Sequence, residues 1–286
     1  MILNLADLNE TQLQAHDFWD FGADGTSMEF CVKHLGGSNG VGFNLEDWRL
    51  KDVSDRGFAA VQGNIFDIPC TPGCVDFVSM SHFVEHLHGA DQLEAALRLA
   101  LTAARDFVHI RGPFFDDALA LQAHGFKFFW DDWIDHEFKA GLGLLKDTLA
   151  RLGVTSYHAS VGFPVFDSSD TAVHPLVSPA NQDAYDPGLH PPKPHVVFPR
   201  PFFQEFAVLI PAANRSLPVE ALTVRHGPYG VLREMLLRIE HSREGQALPF
   251  GDIQRILCGL PPPPPRPLPT RLLGGVRRRV GRLLHG

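Results

Sequence analysis

The sequence predicts an α/β protein, with a mostly parallel sheet covered by helices on both faces. Three observations carry this. Short apolar runs alternate with helix-compatible runs from residue 18 to residue 110, joined by brief connections, the pattern of strand–helix–strand units. The run FWDFGADGTS at 18–27 ends an apolar strand in an acid and then breaks at Gly22 and Gly25. The run VDFVS at 75–79 is apolar enough for a strand buried on both faces, as central parallel strands are.

The elements follow in order. Residues 1–15 form a lead-in with a helical piece at 9–14, and 18–21 is the first strand. A helix over 27–35 stops at Gly36-Gly37, where glycine supplies the left-handed cap. Strands follow at 40–45 and 59–62, separated by a polar helical stretch at 47–55. A loop over 63–73 leads to the strand at 75–79. The run DQLEAALRLALTAA at 91–104 is rich in alanine and leucine after an acidic start, which favours a helix. DFVHI at 106–110 is the fifth strand. Beyond Gly112, 116–123 and 139–152 read as helices, and 156–166 and 202–210 as strands. The Pro-, Asp-, Ser- and His-rich stretch 167–201 reads as an insertion or lid, since loops of that length are usually functional or mobile. Residues 218–243 read as mostly helical, with a short helix at 253–260. Four units result: a main domain over 1–212, a helical extension over 213–260, a Pro-rich linker over 261–270 and a basic amphipathic tail over 271–286.

Composition narrows the classes. The 286 residues are 44% hydrophobic and 20% charged, ordinary for a globular protein. No apolar run reaches the roughly 20 residues that span a bilayer. The beginning, MILNLADLNETQ, holds acids and no basic start, unlike a secretory leader. Cys31, Cys70, Cys74 and Cys258 show no framework spacing, so a reduced, cytoplasmic protein is expected. Net charge is −8, although the residues from Pro261 onward hold six arginines and no acid. The body is therefore acidic, which argues against nucleic acid as a partner. In the tail, Leu272, Leu273, Val276, Val280, Leu283 and Leu284 recur at helical spacing among arginines, the signature of a contact with an anionic membrane surface, here its inner face.

The motifs in this order resemble the class I methyltransferases that use S-adenosylmethionine. The resemblance covers 18–110 well and the chain to 210 more loosely. It implies a Rossmann-like three-layer sandwich with a seven-stranded sheet and an antiparallel edge. It also implies a cofactor, S-adenosylmethionine, and methylation of a small-molecule, sugar or lipid-linked acceptor, with oxygen the expected atom. Asp20 would help hold the cofactor's amino group, beside Gly22 and Gly25. Asn44 and Asn64 stand where ribose- and adenine-binding acids are usual, and Asp67 follows in GNIFDIP. As neutral amides they would hold the cofactor less strongly. In CVDFVSMSHFVEHL, Ser81 sits at the mouth of the cofactor cleft. His82, Glu85 and His86 are candidates for the acceptor side, where an imidazole can take a proton, and Arg111 for an anionic substrate group. The glycine usual at Ala23-Asp24 is missing. That departure and the two asparagines leave open a binding or scaffold protein that has lost catalysis.

Two motifs have a second reading. His82–His86 matches H-x-x-E-H, which on a long helix would place both histidines on a zinc ion. Here it lies just past a strand and ends at His88-Gly89, so no metal is expected. Phe126, Phe128, Phe129, Trp130 and Trp133 read as a core or lid cluster.

Overall fold

A computed structural model describes residues 1–212, together with the backbone of 237–240. The elements are β1 (Ile2–Asn4), α1 (Glu10–Leu13), β2 (Phe18–Phe21), α2 (Gly25–Phe30, continued by a wider turn to Leu35), β3 (Gly40–Asn44), α3 (Asp47–Asp55), β4 (Ala59–Gln62), β5 (Val75–Ser81), α4 (Ala90–Ala103), β6 (Ala104–Pro113), α5 (Ala118–Gln122), β7 (Phe126–Phe128), α6 (Leu142–Arg151), β8 (His158–Asp167), β9 (Val173–Pro175), β10 (Val197–Pro211) and β11 (Leu237–Glu240).

Among the described residues the main sheet has the order β1-β4-β3-β2-β5-β6-β10-β8-β11. Pairing is parallel from β1 to β6, and antiparallel where β10 meets β6 and β8 and where β11 meets β8. The inner seven strands are the expected ones. Two edge strands were not expected. Residues 2–4, read as lead-in, pair with β4, and 237–240, read as helix, pair with β8. Three or four residues lent to an edge carry too little periodicity to be seen locally; the neighbouring strand decides their state. The remaining readings at 213–236 and 241–286, including the linker and tail, lie outside the described residues. No described helix is long and apolar enough to cross a membrane.

Strand alternation distributes β2 between two faces. Phe18 faces α2 and α3 and stacks on Phe77, at 5.0 Å between ring centres, within a cluster that includes Met28, Cys31, Leu50 and Val53. Trp19 takes the other face, where its indole N–H donates to the Leu13 carbonyl of α1 at 3.2 Å. Helix α4 packs on β5 and β6.

The 167–201 insertion is built in rather than hanging free. Its Val173–Pro175 strand pairs with β7, and Ala172, Val173 and Phe198 join Phe126, Phe128, Trp130 and Phe202 in a second apolar cluster. Lys193 donates to the carbonyls of Asp170 and Val173 at 2.7 and 2.8 Å. Burial of those aromatic rings, each worth roughly 2–3 kcal/mol, seats the insertion against the sheet's antiparallel side.

Candidate functional site

The carboxyl ends of the parallel strands open on one rim of the sheet, where ligands bind in open α/β folds. Two cavities lie there. The smaller, about 330 Å³, has apolar walls from Phe43, Leu45 and Phe66, with Gly22, Asn44 and Asn64 on its lining. The larger, about 760 Å³, is bounded by Asp24, Ser81, Glu85, Trp130, Trp133 and Asp170 among others. Arg49, His86 and Asp135 line both, so the cavities share a wall.

The turn after β2 shapes the first. Gly22 has φ +74°, and a Cβ there would fall 2.8 Å from Phe83 Cδ2. Only glycine fits both conditions without strain. Asp24 then caps α2: its Oδ1 accepts from Ser27 N at 2.8 Å, and Ser27 Oγ accepts from Asp24 N at 3.0 Å. Gly25 faces away from the cleft. Its N–H donates to Asp52 Oδ2 at 3.0 Å, and a Cβ would strike the side chains of Asp52 on α3 and Arg56 just past its end.

Asp20 is fully buried beneath α2, accepts from Ser27 Oγ, and lines neither cavity. Burial, partly offset by Ser27 and Ser79, pushes its carboxyl up to about 7. The β2 pleat puts Asp20 on the helix-covered face with Phe18, so the cofactor role implied for it has no geometric support. Asp67 is exposed and also lines neither cavity.

Asn44 reaches the small cavity, but its amide is occupied. Nδ2 donates to the Ala23 carbonyl at 2.9 Å, and Oδ1 accepts from Glu46 N at 3.1 Å. A carboxylate has no hydrogen to give the carbonyl, which is a physical reason for the amide here. Asn64 Oδ1 accepts from Phe66 N at 3.1 Å and caps the short turn Ile65–Asp67. Glu46, which the sequence reading passed over, lines the same cavity.

Ser81, His82, Glu85, His86 and Arg111 all line the larger cavity. His82 has φ +50° and donates its N–H to the Arg111 carbonyl at 2.8 Å. Its ring lies between two carboxylates, with Nδ1 3.3 Å from Glu85 and Nε2 3.4 Å from Glu205. Burial lowers its pKa, but Glu205 and Glu85 outweigh this and hold it at about 9. At neutral pH His82 is therefore a held imidazolium, not a proton acceptor. Arg111 donates Nε to Glu205 Oε2 at 2.6 Å and Nη2 to Oε1 at 2.9 Å. Its fork is already engaged, so the substrate-anion role expected of it finds a protein carboxylate in place. Burial would raise the Glu205 carboxyl, but His82 and Arg111 together drive it down to about 2.

Glu85, 2% exposed, lies with His86 and with His136 from the segment after β7. Sequence reasoning missed His136 and Glu205. The WDDWIDH run containing His136 read as an aromatic cluster, and nothing local tied it to His86.

The inner seven strands, parallel from β4 to β6 and antiparallel at β10 and β8, have a Rossmann-like order. Against protein-family descriptions and curated sequences the chain matches none. Among solved structures it is similar to an S-adenosylmethionine-dependent methyltransferase from Archaeoglobus fulgidus, at 18% identity over 68% of this chain and 85% of that one, TM-score 0.46. It is similar to the YcgJ protein of Bacillus subtilis, at 9% identity over 70% and 93%, TM-score 0.47. Magnesium protoporphyrin IX methyltransferase from Synechocystis, crystallised with S-adenosylmethionine, is similar at 7% identity over 68% and 69%, TM-score 0.37.

Proposed function

We propose that the chain transfers a methyl group from S-adenosylmethionine to a small acceptor, at oxygen. The observation that carries this is the pair of cavities sharing a wall at the carboxyl rim. The smaller has flat aromatic walls and amide edges that suit a nucleoside, with the Gly22 turn at its side. The larger has a polar floor and room for an acceptor such as a sugar or the head of a lipid-linked intermediate.

Bound S-adenosylmethionine supplies a methyl group on a sulfonium that leaves readily. The protein's task is to align and enclose the reactants. Gly22, Asn64 and Glu46 would hold the nucleoside part, and Asp24 and Ser81 face the space beyond. The floor formed by Glu85, His86 and His136 assists removal of the acceptor's proton. Burial holds the His136 pKa below its ordinary value, so its ring is neutral near pH 7. The Arg111–Glu205–His82 chain fixes one side of the acceptor cavity without taking part in the displacement.

Isothermal titration of S-adenosylmethionine and its demethylated product into the full chain tests this. Saturable 1:1 binding of both is expected, and absence of saturable heat at millimolar ligand overturns it. A second reading, a binding protein without turnover, draws on Phe83 lying against Gly22 and on His82 being held charged. Binding without methylated product in a broad acceptor screen favours that reading.

A further inference from the structure

We propose that Glu85, His86 and His136 form a divalent-cation site on the floor of the larger cavity. One ligand atom from each lies within 4.8 Å of the others, and all three residues line that cavity. Donors held about 2.0–2.2 Å from a cation sit roughly 3.3 Å apart, so small side-chain rotations close the set.

Two independent features support a cation. The first is the orientation of the rings. His86 Nδ1 lies 3.0 Å from the Asp135 carbonyl, and His136 Nδ1 lies 3.0 Å from the Trp130 carbonyl. A carbonyl only accepts, so each Nδ1 carries the hydrogen and each Nε2 keeps its lone pair. Metal-binding histidines are held in this way by an outer partner. The second is Glu85 itself. It is 2% exposed, and its Oε2 meets no hydrogen-bond donor among the described residues. A buried carboxylate oxygen without a donor is costly, and a bound cation would satisfy it.

The set differs from the H-x-x-E-H reading. His82 is not part of it: its ring bridges Glu85, 3.3 Å from Nδ1, and Glu205, 3.4 Å from Nε2, and the third ligand comes from a separate segment. Two imidazoles and one carboxylate suit zinc or manganese and leave positions open for an outside oxygen.

The site's existence does not depend on methyl transfer, but its role does. On the methyl-transfer reading Glu85, His86 and His136 would hold the cation, which would acidify an acceptor hydroxyl so that its proton could be lost to water. The new C–O bond then forms as the S–C bond breaks, and the sulfonium becomes a thioether.

The test is calorimetric titration of the chelator-treated full chain with Zn²⁺ and Mn²⁺, with metal analysis after dialysis. The wild type should bind one equivalent at this site. His86→Gln and His136→Gln should weaken binding at least 100-fold, beyond the roughly 10–100-fold cost of losing an outer partner. Cys70 and Cys74, with sulfurs 4.0 Å apart, are the rival site; the double Cys→Ser variant should bind as the wild type does. His86 is at the surface, with a side chain 32% exposed, so its replacement leaves the core intact, which metal-free melting checks. No saturable binding, unchanged affinity in His86→Gln, or loss in the cysteine variant overturns the proposal. S-adenosylmethionine titrated into the metal-free chain reports separately on the methyl-transfer reading.

Discussion

Arg111 on β6 grips Glu205 on β10 through two parallel hydrogen bonds of 2.6 and 2.9 Å, and Glu205 in turn lies 3.4 Å from His82 Nε2. In the antiparallel register Arg111 faces Ala207, two residues from Glu205, so the pair is a diagonal neighbour on one face. Glu205→Gln removes the charge from a largely buried fork. Stability should fall by about 2 kcal/mol in urea melts, the scale of a charge-assisted bond, and the His82 ring should titrate nearer its ordinary value by NMR.

The same pair sets a pH window. Glu205 is held near 2 against an ordinary 4.5, so its contribution is present above pH 4.5 and is lost as pH falls toward 2. His82 is held near 9 against 6.5, so its contribution is present below pH 6.5 and is lost as pH rises through 9. The stability difference between wild type and a His82→Gln/Glu205→Gln double variant should plateau between these limits and shrink on both sides. A flat difference across the range would contradict the coupling.

Asp20 behaves in the opposite sense. A buried carboxyl raised from 3.8 to about 7 favours the fold most when protonated, and stability declines as pH rises between those values. Asp20→Asn should match the wild type near pH 3.5 and exceed it at pH 8, by up to about 4 kcal/mol at roughly 1.4 kcal/mol per unit. Its affinity for S-adenosylmethionine should stay within about threefold, because Asp20 lines neither cavity.

Gly22→Ala combines a left-handed φ with a 2.8 Å approach to Phe83. We expect a loss of about 1–3 kcal/mol and, because Phe83 must shift within the small cavity, S-adenosylmethionine binding weakened at least about tenfold. Equal affinity would show that the nucleoside does not occupy that cavity.

Asn44→Asp supplies the acid that the resemblance to class I methyltransferases leads one to expect here, yet it should weaken the protein. The new carboxylate would face the Ala23 carbonyl now receiving Nδ2 at 2.9 Å, at a cost of about 1–3 kcal/mol for the unmet group. Thermal melts and titration should show lower stability and no gain in affinity.

The sheet's inner strands were legible because each is a local apolar run bounded by turn residues. FWDF and GVGFN need no partner to declare themselves. The glycine bend was legible for the same reason, as one chemical feature within ten residues. The edge strands at 2–4 and 237–240 were not, because their state is set by β4 and β8.

The site divides along the same line. The sequence determined the layering, and the resemblance it carries pointed to the stretch after β5, where His82, Glu85 and His86 line the larger cavity. Only the tertiary structure decided what those residues can do. Arg111 and Glu205 are 94 positions apart, and His86 meets the carbonyl of Asp135 from 49 positions away. Backbone propensity acts over a few residues, whereas charge state and ligand geometry depend on groups that meet only when the sheet and its insertion pack together.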